Sequence, residues 1–156
     1  MSYENLLFDK NSFLDNARAL IDKKLPLISN LSNLSRLIFD SFPNTFWAGF
    51  YLFNENDNYL YLGPFQGEIA CTIIPFGKGV CGNSIKLQTT QLVPNVHEYE
   101  GHIACSSLTN SELVVPILDK NKIYGVIDLD SRNFNNYNEN DAKILENLAV
   151  FIKNLF

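Results

Sequence analysis

Helical periodicity brackets this chain and is missing from its middle. Phe13, Ala17, Leu20 and Ile21 fall on one helical face, which predicts a helix from Asp9 to Lys24. Lys23 and Lys24 suit the C-terminal end of its dipole, and Pro26 is expected to stop it. Leu31, Leu34, Leu37 and Ile38 form the stripe of a second helix, from an N-cap at Ser29 to Phe42. At the far end, Ile144, Leu145, Leu148, Ile152 and Leu155 predict a closing helix that starts near Asn138.

The middle has strand character. Thr45–Phe53 is short and aromatic, and Tyr59–Leu62 returns after the polar turn Asn54–Asn58. Gly63–Gly67 reads as a loop and Ala70–Ile74 as a third strand. Gly77–Gly82 opens a short helix to about Leu87, followed by a brief strand, Thr90–Val93. Residues 95–111 show no period. A loop of that length inside a compact domain is usually functional. Glu112–Leu118 and Ile123–Asp130 are strands joined by the polar turn Asp119–Lys122. This order predicts an α+β fold with a mainly antiparallel sheet, formed by one domain over residues 1–156.

Charge narrows the function. A net charge of −5 leaves no basic stripe for nucleic acid. No apolar run reaches membrane-spanning length, and Met1–Asn5 carries an acid and no basic region. The expected location is the cytoplasm. Cysteines there are reduced thiols rather than a disulfide framework.

The three cysteines are Cys71, Cys81 and Cys105. Their spacing lacks the close pairs of a zinc site, so no metal is expected. Cys105 ends the polar stretch Gly101-His102-Ile103-Ala104-Cys105. Two readings stay open for it, a small buried hydrophobe or a nucleophile activated by His102 and loop N–H groups. Cys71 and Cys81 adjoin the core-like Ala70 and Val80.

Asp128 and Asp130 share one side of their strand, either as a solvated strand end or as an acid pair at a pocket mouth. Glu112 joins them only if the hairpin is irregular. A plain two-residue loop at Lys120–Asn121 would set Glu112 opposite Leu129, facing away. A site built from these acids therefore predicts an odd-numbered loop or a bulge. Trp47 and Tyr51, four apart on a strand, are either core or an aromatic wall for a small apolar group.

The chain resembles the free methionine-(R)-sulfoxide reductases, which are stand-alone GAF domains. The resemblance lies in Trp47-Ala48-Gly49-Phe50-Tyr51, Gly63–Gly67, Ala70-Cys71-Thr72, Ile74–Gly82, Gln91–His97, Gly101–Cys105, Ser111–Pro116 and Gly125–Ser131. The chain departs from the family pattern at Ser106, where aspartate is expected. The resemblance implies a GAF fold with terminal helices on one face of the sheet and a ligand pocket on the other. It implies Cys105 as nucleophile, Cys71 as main resolving cysteine and Cys81 as a secondary partner. Glu112, Asp128 and Asp130 would hold the ammonium and sulfoxide oxygen of free methionine-(R)-sulfoxide, and Trp47 and Tyr51 would face its S-methyl end. It further implies no cofactor, recycling by thioredoxin or a similar dithiol, and a homodimer. The rival is a non-catalytic GAF sensor of a small molecule or of redox state.

Overall fold

The structure, a computed structural model, describes residues 8–120 and 122–156. The N-terminal stretch Met1–Asn5 and Asn121 of the polar turn lie outside them. Helices α1 (Phe13–Leu20) and α2 (Leu27–Ser41) lead into strands β1 (Thr45–Asn54), β2 (Tyr59–Gln66) and β3 (Ile73–Pro75). Helix α3 (Gly79–Leu87), strands β4 (Gln91–Val93), β5 (Ser111–Asp119) and β6 (Lys122–Ser131), and helix α4 (Glu139–Ile152) follow. The six strands form one sheet in the order β3-β2-β1-β6-β5-β4, and every adjacent pair is antiparallel.

The helix stripes act as expected. Phe13 and Ala17 of α1, Leu31, Leu34, Leu37 and Ile38 of α2, and Leu145, Leu148 and Ile152 of α4 are buried. They pack on one sheet face against Ala48, Phe50, Leu113, Val115, Ile127 and Leu129. Helix α3 covers the opposite face with Val80, Cys81 and Ile85, against Trp47, Tyr51, Val114 and Val126. Alternation along each strand separates the two cores. Asn138 caps α4 where expected: its side chain accepts from the Asn140 and Asp141 amides, and its backbone amide donates to the Asp141 carboxylate.

Three local expectations need correction. Helix α1 is shorter than Asp9–Lys24, and Pro26 is the N-cap of α2 rather than the stop of α1. Proline's missing N–H costs nothing at a helix start, so α2 begins before Ser29. Gly63–Gln66 is not a loop but the second half of β2. Gly49 pairs with Phe65 and Tyr51 with Leu62, so an extra β2 residue forms a bulge there. A bulge tolerates Pro64, which an uninterrupted strand would not. The third strand is also shorter than Ala70–Ile74 at its start, beginning at Ile73.

Candidate active site

The acids meet because of a second bulge. Asp119 pairs with Lys122 and Leu118 with Ile123, but Ile117 pairs with Gly125. Tyr124 is the extra residue. From there on Glu112 lies opposite Asp130, and Asp128 opposite Val114. On the other side of β6, Asp130 lies opposite Trp47 and Asp128 opposite Gly49. Three neighbouring strands thus turn Glu112, Asp128, Asp130, Trp47 and Tyr51 to the face that α3 covers. The irregular hairpin that this site requires is present.

The aromatic wall is a stack of three rings. Trp47 stacks on Tyr51 at 5.7 Å between centroids and on Phe65 at 5.3 Å. Gly49 makes this fit, since a Cβ there would lie 2.4 Å from the Phe65 Cβ. Hydrogen bonds fix the stack's polar ends. Trp47 Nε1–H donates to the Glu68 carbonyl (3.1 Å) and the Tyr51 hydroxyl donates to the Cys71 carbonyl (3.0 Å). Phe65 was hidden from the sequence reading by its placement in a loop.

Helix α3 positions the remaining groups. Its first residue, Gly79, has φ +63, and a Cβ built on it would approach the Ile103 Cβ to 3.2 Å. Bare backbone at this point lets Ile103 close onto the helix. Ile103 in turn seats the segment that carries Cys105, whose amide donates to the Ile103 carbonyl at 3.1 Å. The result is a disulfide between Cys71 and Cys105, with their Cα atoms 5.4 Å apart. That separation lies within the range a disulfide requires. Cys81 stays a free, buried thiol, its sulfur 4.0 Å from Glu112 Oε1.

Together these groups line one cavity. Trp47, Tyr51 and Ile74 supply apolar wall, Cys105 joins the lining, and the three acids, Cys81 and His102 give it polarity. Burial pushes all three carboxyls well above the usual range, and their mutual repulsion adds to it. The Cys81 thiol is raised by burial and then by Asp128, Glu112 and Asp130. His102 Nε2 is 3.7 Å from Glu112 Oε2. Burial lowers the His102 pKa and raises that of Glu112, which disfavours the charged form of both partners. His102 thus faces the acids, a placement its position three residues before Cys105 did not reveal. Asp128 Oδ1 is buried without a hydrogen-bond partner among the described residues, which leaves an acceptor for a ligand. Cys81, Glu112 and Asp128 bring donor atoms within 4.8 Å of one another, near enough to share one cation.

The GAF domain family model matches residues 29–154. The chain is 42% identical over 132 residues to the free methionine-R-sulfoxide reductase of Escherichia coli (strain K12), covering 85% of this chain and 79% of that one. It belongs to the free methionine-R-sulfoxide reductase family of GAF domains. A second family member, the free methionine-R-sulfoxide reductase of Saccharomyces cerevisiae, is 45% identical over 139 residues, or 85% of this chain and 77% of its own. Among solved structures, the family's enzyme from Neisseria meningitidis in complex with its substrate superposes with a TM-score of 0.85 at 37% identity. That superposition covers 94% of this chain and 85% of the other. The antiparallel sheet, the helices on one face and the cavity on the other are the family fold that the sequence resemblance implied.

Proposed function

We propose that this chain reduces free L-methionine-(R)-sulfoxide to L-methionine, with Cys105 as nucleophile and Cys71 as resolving thiol. The observation that carries this reading is the Cys71–Cys105 disulfide beside a cavity that Cys105 lines together with Glu112, Asp128 and Asp130. A sulfoxide sulfur becomes electrophilic when its oxygen is protonated or strongly hydrogen-bonded. A carboxyl kept neutral by burial and by its neighbours can supply that proton. The cluster also retains negative charge for the substrate's ammonium. The Trp47–Tyr51 wall takes the S-methyl end.

The steps balance. The reduced Cys105 thiolate attacks the activated sulfur; the sulfoxide S–O bond breaks as the protonated oxygen passes to the Cys105 sulfur, and methionine leaves with the electron pair of the transient S–S bond, so that Cys105 is oxidised to a sulfenic acid as the sulfoxide is reduced. The Cys71 thiol displaces that oxygen as water and forms the disulfide. A dithiol such as thioredoxin then reopens it by exchange and is itself oxidised. Cys81 serves as a secondary resolving thiol. The protein works in the cytoplasm, as a homodimer.

The test incubates the reduced protein with each sulfoxide epimer and dithiothreitol. Methionine release from the R epimer alone is expected. Release from neither epimer would sink the enzyme reading in favour of a sensor.

A further inference from the structure

The disulfide leaves Cys81 as a free thiol, and its surroundings are unlike those of an inert core cysteine. The residue is 3% exposed, yet its sulfur faces Glu112 Oε1 at 4.0 Å. Asp128 completes a triangle in which all donor atoms lie within 4.8 Å of one another. Asp128 is 5% exposed, and its Oδ1 has no hydrogen-bond partner among the described residues. His102 Nε2 stands 3.7 Å from the second Glu112 oxygen and lines the same cavity.

We propose that Cys81, Glu112 and Asp128 form a site for a thiophilic divalent cation of the zinc class, and that its occupancy excludes the substrate. Tetrahedral zinc, with bonds of roughly 2.3 Å to sulfur and 2.0–2.2 Å to oxygen, sets those ligands about 3.5 Å apart. The 4.0 Å between Cys81 Sγ and Glu112 Oε1 closes to that value by a small side-chain rotation. A water takes the fourth position. The thiolate sets the selectivity, because calcium and magnesium require more oxygen ligands and no sulfur. An ammonium ligand uses the carboxylates alone and makes no use of the Cys81 sulfur. Cation binding stands independently of the proposed activity. Only the exclusion of substrate rests on that reading.

The test uses the disulfide-closed protein, in which Cys81 is the remaining thiol and turnover plays no part. Titration with Co2+, as a spectroscopic stand-in for zinc, is expected to give a thiolate-to-cobalt charge-transfer band in the near ultraviolet. The band saturates at one ion per chain and disappears when Zn2+ is added. Cys81→Ser is expected to abolish it. Asp128→Asn, which keeps the side-chain shape, is expected to weaken binding by about tenfold or more. Absence of the band, its survival in Cys81→Ser, or unchanged affinity in Asp128→Asn would each overturn the site. Substrate exclusion is read in a single turnover of reduced protein without added thiol, where Zn2+ is expected to raise the sulfoxide concentration needed. Zinc bound with no such rise would overturn the exclusion. A cobalt band in a protein that reduces neither epimer would sink the reductase reading and leave the cation site intact.

Discussion

Glu112 lies directly opposite Asp130 across the β5–β6 pair, and it does so because Tyr124 is an extra residue in β6. Without the bulge, Glu112 would face the helices. The two carboxyl groups therefore sit side by side beside Asp128, where a bound ammonium group would offset the burial and repulsion that disfavour their charged forms. On the reading proposed above, Glu112→Gln removes one charge-assisted bond to that group. Such bonds are worth about 1.5–3 kcal/mol, so KM for free methionine-(R)-sulfoxide should rise about 10- to 100-fold. Steady-state kinetics reads this directly. An unchanged KM would remove Glu112 from substrate binding.

Asp128 should trade stability for function. Burial and then Glu112 hold its folded pKa well above the ordinary 3.8. The folded chain therefore binds this proton more tightly than the unfolded chain. That favours folding at pH below 3.8 and loses effect as pH rises toward the folded pKa, at up to about 1.4 kcal/mol per pH unit. Asp128→Asn cannot ionise and escapes this loss. Urea unfolding should show the variant gaining on the wild type between pH 5 and pH 8. If Asp128 is the proton donor, the same variant should lose about 10²- to 10⁴-fold in turnover. A stability difference that stays constant with pH would contradict the buried, neutral carboxyl.

Tyr51→Phe isolates one hydrogen bond. It keeps the ring stacked on Trp47 and removes the hydroxyl that donates to the Cys71 carbonyl at 3.0 Å. The stability cost is about 1 kcal/mol. Sulfenic acid should form at the normal rate but persist longer, because Cys71 is held less firmly beside Cys105. Trapping with a sulfenic-acid reagent during a single turnover measures its lifetime. Equal lifetimes in variant and wild type would show that this bond does not position Cys71.

Gly79→Ala should act on Cys105 from a distance. The left-handed backbone costs an alanine roughly 1–2 kcal/mol, and its Cβ meets Ile103 at 3.2 Å. We expect a lower Tm and slower disulfide closure. Adding Ile103→Ala should restore the closure rate without restoring the Tm, since the backbone strain remains. A double variant as slow as the single one would contradict the seating of Ile103 on Gly79.

Much of this fold is legible in the sequence. The helix stripes and the aromatic, β-branched strands carry strong periodicity, because each buries one face. The bulge at Tyr124 has one local signature, Gly125 beside it, where a Cβ would lie 2.2 Å from the Tyr51 carbonyl oxygen. The bulge was reached only by requiring Glu112, Asp128 and Asp130 to share a face. Pro26 and Pro64 misled for a common reason. Proline breaks regular hydrogen bonding, yet both occupy places where no amide hydrogen is needed, a helix start and a strand bulge. The contact between His102 and Glu112 and the seating of Ile103 on Gly79 depend on tertiary closure of an aperiodic segment. Neither spacing nor propensity encodes such closure.

The central claim is that Cys105 takes the oxygen and Cys71 resolves it. The most direct measurement is a single turnover of fully reduced protein without external thiol, read by methionine release and by mass spectrometry of the cysteines. With the R epimer, the wild type should release one methionine per chain and close the Cys71–Cys105 disulfide. Cys71→Ser should still release methionine and hold sulfenic acid on Cys105 until Cys81 captures it, and Cys105→Ser should release none. Methionine release from Cys105→Ser, or release by the wild type with both Cys71 and Cys105 left as thiols, would contradict the account.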